Sequence, residues 1–63
     1  MNKGTVKFYN DLRRYGVIKD LATQKDFHVY EDGLKESIKD NDEVTFELEE
    51  DNRGTHAVDV RQA

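Results

Sequence analysis

The sequence contains no cysteine and no long apolar run, and both absences narrow what the protein can be. Without cysteine, the 63-residue chain has no disulfide, no thiol nucleophile and no Cys-based zinc site, which fits a reducing compartment. At most two apolar residues follow one another, so the sequence predicts neither a transmembrane helix nor a signal peptide. We therefore expect a cytoplasmic protein without a membrane partner and, at this length, a single domain over residues 1–63.

Charge is distributed unevenly along the chain, whose net charge is −4. Residues 1–30 carry six basic and three acidic side chains, a net of +3, together with five of the six aromatic residues. Residues 31–63 carry four basic and eleven acidic side chains, a net of −7, as expected of a solvated face that keeps a small domain soluble. The negative net charge argues against nucleic-acid binding, whereas the overlap of cations and aromatic rings in the first half of the chain favours it.

Apolar residues recur mainly at every second position, which predicts short β-strands. The expected strands are residues 3–10, 14–19, 26–30, 43–49 and 55–61. The same alternation assigns these side chains to the core: Ile18, Phe27, Val29, Val44, Phe46, Leu48, Val58 and Val60. Only residues 34–42 could form a helix, of one or two turns. Five short strands at regular spacing predict a small closed barrel, because closure removes exposed strand edges.

The two-residue period also places side chains of the second and third strands on a common outward face. If these strands pair across the loop at 20–25, four side chains point outward together: Tyr15, Val17, His28 and Tyr30. Lys7, Arg13 and Arg14 are expected beside them. Single-stranded nucleic acids bind such surfaces, because bases stack on the rings and phosphates contact the cations. Tyrosine is also an ordinary strand residue, so the same side chains could simply cover the sheet.

Five segments, in this order, resemble a cold-shock domain along nearly the whole chain: KFYN (7–10), RRYGVI (13–18), DFHVY (26–30), EVTFELE (43–49) and NRGTHAVDV (52–60). The second and third segments correspond to the two ribonucleoprotein motifs of that family. The resemblance implies an all-β fold, a five-stranded antiparallel OB-fold barrel. It also implies binding of single-stranded RNA or DNA through stacked aromatic rings, without catalysis.

The chain departs from the family pattern mainly on the presumed binding face. Arg14 stands where the first motif has its first glycine, which strains the backbone if that position requires a positive φ. Val17 replaces an aromatic residue, so one stacking platform is lost. Glu31 and Asp32 place two negative charges beside the presumed binding face. A retained fold with an altered face fits a shift in specificity, the loss of a binding site or an engineered surface.

In the first strand, the two-residue alternation and the family resemblance disagree about which way one side chain points. Val6 and Phe8 are two residues apart and should therefore point to the same face of a regular strand. The family resemblance nevertheless places Val6 inside the barrel and Phe8 outside. A bulge or a sharp bend in this strand would reconcile the two positions.

The leading hypothesis is a monomeric binder of single-stranded RNA or DNA, of the cold-shock RNA-chaperone type. The candidate binding residues are Lys7, Phe8, Tyr9, Asn10, Arg13, Arg14, Tyr15, Val17, Asp26, His28, Tyr30 and Arg53. Their rings would stack on bases, with Tyr9 at the margin and Val17 giving an apolar contact, while the cations follow the phosphates. Asn10 and Asp26 would hydrogen-bond base edges. The alternative is a protein-interaction module on the same barrel, because acidic residues beside the patch repel phosphates and attract a basic partner.

No pattern in the sequence is typical of an enzyme or a metal site. His28 and His56 are the only histidines, on strands that need not meet, and the lone Ser37 lies in no nucleophile motif. We expect no catalytic residue, no cofactor and no metal ligand. His56 and the nearby Asp59 are interpreted as surface residues rather than as a ligand pair.

Overall fold

The computed structural model describes residues 2–63, which form five β-strands. These are β1 (Asn2–Asn10), β2 (Tyr15–Asp20), β3 (Asp26–Tyr30), β4 (Glu43–Asp51) and β5 (Gly54–Gln62). They close into a barrel in the order β1-β2-β3-β5-β4, the arrangement of an OB-fold. The predicted all-β, five-stranded barrel is confirmed. The sheet is mixed rather than wholly antiparallel, because β5 closes the barrel by pairing in parallel with β3.

The core is formed by buried apolar side chains from all five strands and from the loop after β3: Val6, Ile18, Val29, Ile38, Val44, Phe46, Ala57 and Val60. Phe27 is partly buried and packs against this core. Leu48, predicted to be inside, is 39% exposed. The reason is that β4 pairs with β1 only through residues 43–46, so that its distal half has β5 as its one strand neighbour within residues 2–63.

A bulge in β1 resolves the conflict between Val6 and Phe8. Val6 lies opposite Ile18 and Phe8 lies opposite Val17, which leaves Lys7 as an extra residue on β1. The bulge reverses the facing of the strand. Val6 is completely buried and Phe8 is 41% exposed, as the sequence predicted for a bulged first strand.

A second irregularity, in β5, was not predicted. Thr45 lies opposite Arg61 and Glu47 lies opposite Val58, so β5 has one more residue than β4 between these pairs. Within this segment Asp59 has a positive φ of 53°. The extra residue changes the alternation, and Ala57 rather than the predicted Val58 occupies the core; Val58 is half-buried.

The connection between β3 and β4 does not contain the helix predicted at residues 34–42. A single 3-10 turn, Glu31–Gly33, follows β3 instead. Beyond it the backbone bonds to distant strands: the Lys35 N–H donates to the Val60 carbonyl at 2.8 Å, and the Asn41 N–H donates to the Val6 carbonyl at 2.7 Å. These long-range bonds replace the local bonds of a helix. No helix within residues 2–63 has the length and apolar character needed to span a membrane.

Candidate nucleic-acid interface

Five side chains on β1, β2 and β3 form a continuous outward surface, which we call the aromatic face: Phe8, Tyr15, Val17, His28 and Tyr30. Tyr15 pairs with Tyr30 and Val17 pairs with His28 across β2 and β3. The bulge in β1 brings Phe8 opposite Val17. All five side chains are exposed or half-buried. The sequence prediction that the side chains of β2 and β3 point outward together is therefore confirmed.

Tyr15 lies at the centre of the aromatic face. Its ring centroid is 5.4 Å from that of His28 in a stacked arrangement, 5.8 Å from that of Tyr30 and 6.0 Å from that of Phe8. The Tyr15 hydroxyl and the His28 Nδ1 atom share a hydrogen bond of 2.7 Å. These contacts join the rings of three strands into one array.

The array continues onto β5, because the parallel pairing of β3 and β5 places His28 directly beside His56. The two histidine strands, which the sequence did not require to meet, are therefore neighbours in this fold. His56 is also not a surface residue: it is 1% exposed, and its ring packs edge-on against Tyr30 at 5.5 Å. Its hydrogen-bond partner is Asp51 rather than Asp59, with 3.0 Å between Nε2 and Oδ2. His56 thus supports the aromatic face from within.

Arg53 lies against the outer end of this array. Its guanidinium carbon is 4.5 Å from the centroid of the Tyr30 ring, a cation–π contact. The Asp51 carboxylate holds Arg53 by accepting bonds from its backbone N–H at 2.8 Å and from its Nη2 at 3.1 Å. The hydrogen bond from the Arg53 side chain is the main reason that the pKa of Asp51 lies well below its usual range. The same bond raises the pKa of Arg53.

Several cations near the aromatic face are paired with carboxylates of the same surface. Three pairs involve carboxylates of β3 and the turn that follows it: Lys7 with Asp26 at 3.1 Å, Arg14 with Glu31 at 3.4 Å, and Arg53 with Asp32 at 3.4 Å. Arg53 also pairs with Asp51 at 3.1 Å. Lys7 and Asp26, both candidate binding residues, are thus joined to each other. Among residues 2–63, Arg13 has no ion-pair partner. Exposed pairs contribute only about 0–1 kcal/mol, so an incoming phosphate can exchange with them.

Asn10 shapes the turn between β1 and β2. Its Oδ1 atom accepts the backbone N–H groups of Leu12 at 2.9 Å and of Arg13 at 3.2 Å. The carbonyl end of Asn10 is therefore occupied by the turn, and its amide group remains for a base edge. Leu12, which the sequence analysis did not single out, is 96% exposed at this turn. Its only sequence signal is an isolated apolar residue within a polar turn.

Tyr9 lies on the side of β1 opposite to the aromatic face. It pairs with the buried Gly16 and packs against the core. Burial, reinforced by the nearby Glu31, raises the pKa of Tyr9. The ring lines a separate cleft of about 340 Å³ together with Leu34. Of the candidate aromatic residues, Tyr9 is the one that the fold directs away from the array.

The backbone at Arg14 has the positive φ that the family glycine suggested, at 57°. The conformation is fixed by two turn hydrogen bonds: the Arg14 N–H donates to the Asn10 carbonyl at 2.8 Å, and the Glu31 N–H donates to the Arg14 carbonyl at 3.1 Å. A residue with a Cβ atom is strained in this region. The arginine therefore places a cation beside the aromatic face at a cost in backbone energy.

Lys7 and Asp26 lie at the other edge of the aromatic face, around a cleft of about 320 Å³. Its lining consists of Lys7, Phe8, Val17, Asp26, Phe27 and His28. Phe27 was predicted only as a core residue, but it is half-buried and its ring reaches this cleft as well. An apolar floor with a cation and a carboxylate at its rim offers both stacking and hydrogen bonding to a base.

Aromatic side chains exposed on adjacent strands of a closed OB-fold barrel are typical of proteins that bind single-stranded nucleic acids. Residues 2–63 match the family model of the 'Cold-shock' DNA-binding domain, and the chain belongs to this family. It is similar to the cold shock-like protein CspA of Rickettsia typhi, with 31% identity over 62 aligned positions that cover 92% of this chain and 89% of the relative. The protein is accordingly a nucleic-acid-binding protein of the cold-shock type and not an enzyme.

Proposed function

We propose that the protein binds single-stranded RNA or DNA on the aromatic face, acting as a monomeric RNA chaperone in the cytoplasm. Bases stack on Phe8, Tyr15, His28 and Tyr30, and Val17 adds an apolar contact. The observation that carries this proposal is the array of rings around Tyr15, which is open to solvent across three strands. Aromatic surfaces of this kind bind bases with little sequence preference, because every base has a π-face.

The phosphates follow the cations that border the array. Arg13 and Arg14 lie at the turn between β1 and β2, Lys7 lies at the β1 bulge, and Arg53 lies at the outer end next to Tyr30. Two or three stacks near the lower end of about 1–3 kcal/mol each, offset by ordering of a flexible strand, give an affinity of about micromolar or weaker. About three phosphate contacts give a log–log salt slope of roughly −2.

The test compares two side chains of nearly equal exposure. Phe8 on the aromatic face is 41% exposed, and Leu48 on β4 is 39% exposed. Phe8→Ala removes a stacking ring and is expected to weaken binding of a labelled oligothymidylate by about fivefold to a hundredfold. Leu48→Ala is expected to leave the affinity unchanged. Equal effects of the two substitutions would contradict binding at the aromatic face.

A second candidate, a protein-interaction module, is favoured by one observation. Glu31 and Asp32 are exposed at the end of β3, where they repel phosphates and attract a basic partner. In that case the protein ignores oligonucleotides at every salt concentration, and the same titration distinguishes the two candidates.

A further inference from the structure

Glu31 and Asp32 form a short acidic turn at the end of β3, next to Tyr30. Their carboxylates lie 3.4 Å from the side chains of Arg14 and Arg53, respectively. Each of these two arginines therefore has an anionic partner before any nucleic acid arrives. The two carboxylates are well exposed, and within residues 2–63 their bonds are to these exposed arginines and not to a buried group. Glu31 and Asp32 therefore have no structural role in the core.

A phosphate that binds Arg14 or Arg53 must replace one of these carboxylates. The exchange yields only the difference between two similar ion pairs, and the displaced carboxylate remains close enough to repel the phosphate. Asp51 differs in this respect, because it holds Arg53 from the hairpin side and also bonds the buried His56. Removal of Glu31 would therefore leave Arg14 without its carboxylate partner, and removal of Asp32 would leave Arg53 with Asp51 alone, in both cases without disturbing the interior.

We propose that Glu31 and Asp32 limit the affinity of the aromatic face: they occupy Arg14 and Arg53 in the unbound protein and compete with the phosphates of the bound strand. This inference rests on the proposed function. It assigns to the acidic turn the role of keeping binding weak and rapidly reversible. When a phosphate displaces a carboxylate from an arginine, the phosphate loses a counterion and the carboxylate takes one up. The dependence of wild-type affinity on salt is therefore weaker than the number of contacting cations alone would give.

The test neutralises the two acidic residues while keeping their shape. Glu31→Gln/Asp32→Asn is compared with Glu43→Gln/Glu47→Gln, which changes the net charge by the same amount on exposed positions of β4 away from the hairpin turn. Binding of a labelled oligothymidylate is measured by fluorescence anisotropy from low to moderate NaCl. Thermal melting of each variant verifies that it is folded.

We expect the turn variant to bind about tenfold more tightly than wild type at low salt, about threefold for each carboxylate neutralised. Its log–log salt slope should become more negative by about 0.7 for each additional cation that contacts a phosphate. The β4 variant should change the affinity by less than about twofold, because its charges are exposed to salt screening and lie on a strand that is not adjacent to β2 or β3.

Equal strengthening in both variants would show a general charge effect and overturn the inference, as would an unchanged affinity in the turn variant. In either case, measurable binding by wild type leaves the proposed function intact. Binding by the turn variant alone would support the inference, since the acidic turn would then silence the face completely. Absence of binding by every protein would overturn the proposed function and the inference with it.

Discussion

Asp51 and His56 are joined by a 3.0 Å contact between Oδ2 and Nε2, and this contact links the β4–β5 hairpin to the aromatic face. The His56 ring packs beneath Tyr30, while Arg53, held by the same carboxylate, lies against the Tyr30 ring. One carboxylate of the hairpin thus positions two groups around one tyrosine. The last turn of the barrel is therefore part of the surface that we assign to nucleic-acid binding.

The first prediction concerns acid stability. Because the pKa of Asp51 is lower in the folded protein than in the unfolded chain, its contribution to stability is present above the unfolded value of about 3.9 and is lost as pH falls toward the folded value. Asp51→Asn should lower the melting temperature at about pH 6, and the difference from wild type should shrink below about pH 4. Asp11→Asn, in an exposed turn, is the control. A difference that stays constant between pH 6 and pH 3 would contradict this assignment.

The second prediction separates backbone strain from charge at position 14. Arg14→Ala removes the charge and keeps a Cβ atom at a φ of 57°, whereas Arg14→Gly removes both. We expect the glycine variant to be more stable than the alanine variant by about 0.5–1 kcal/mol, measured by chemical denaturation. Both lose the exposed pair with Glu31, so this contribution cancels in the comparison. If alanine were the more stable of the two, the position would carry no left-handed strain.

The third prediction concerns the core. Phe46 is 1% exposed and packs against Phe27 with 6.4 Å between ring centroids. Phe46→Ala should cost about 3–5 kcal/mol, which is enough to unfold a domain of this size at room temperature. Leu12→Ala, at a residue that is 96% exposed, should change stability by less than about 0.5 kcal/mol. Circular dichroism melts would measure both, and a folded Phe46→Ala protein would contradict the core assignment.

Much of the fold follows from local sequence patterns, because a half-buried strand imposes a two-residue period. The bulge at Lys7 could be inferred because the family resemblance places Val6 inside the barrel and Phe8 outside, against the two-residue alternation. The bulge near Asp59 could not, because Val58 and Val60 satisfy the alternation without it. Similarly, Leu34 and Ile38 have helical spacing, but the neighbouring backbone of Lys35 and Asn41 bonds to β5 and β1, and bonds between distant segments leave no local pattern.

The aromatic face was predictable to the extent that β2 and β3 are neighbours joined by a short loop. The two-residue alternation alone was enough to place Tyr15 and Tyr30 on the same face. The contact between Tyr30 and His56 could not, because it depends on the parallel pairing of β3 with β5. The ion pairs of Arg14 and Arg53 likewise depend on how the 3-10 turn packs against the β1–β2 turn and the β4–β5 hairpin, which the sequence alone does not specify.

The central claim, that single-stranded nucleic acid binds the aromatic face, is tested most directly by amide NMR titration with a short pyrimidine-rich strand at low and moderate salt. We predict shifts concentrated on residues 7–17 and 26–31 that weaken as salt rises. Absence of shifts at millimolar oligonucleotide, or shifts confined to the acidic β4 strand, would contradict the claim.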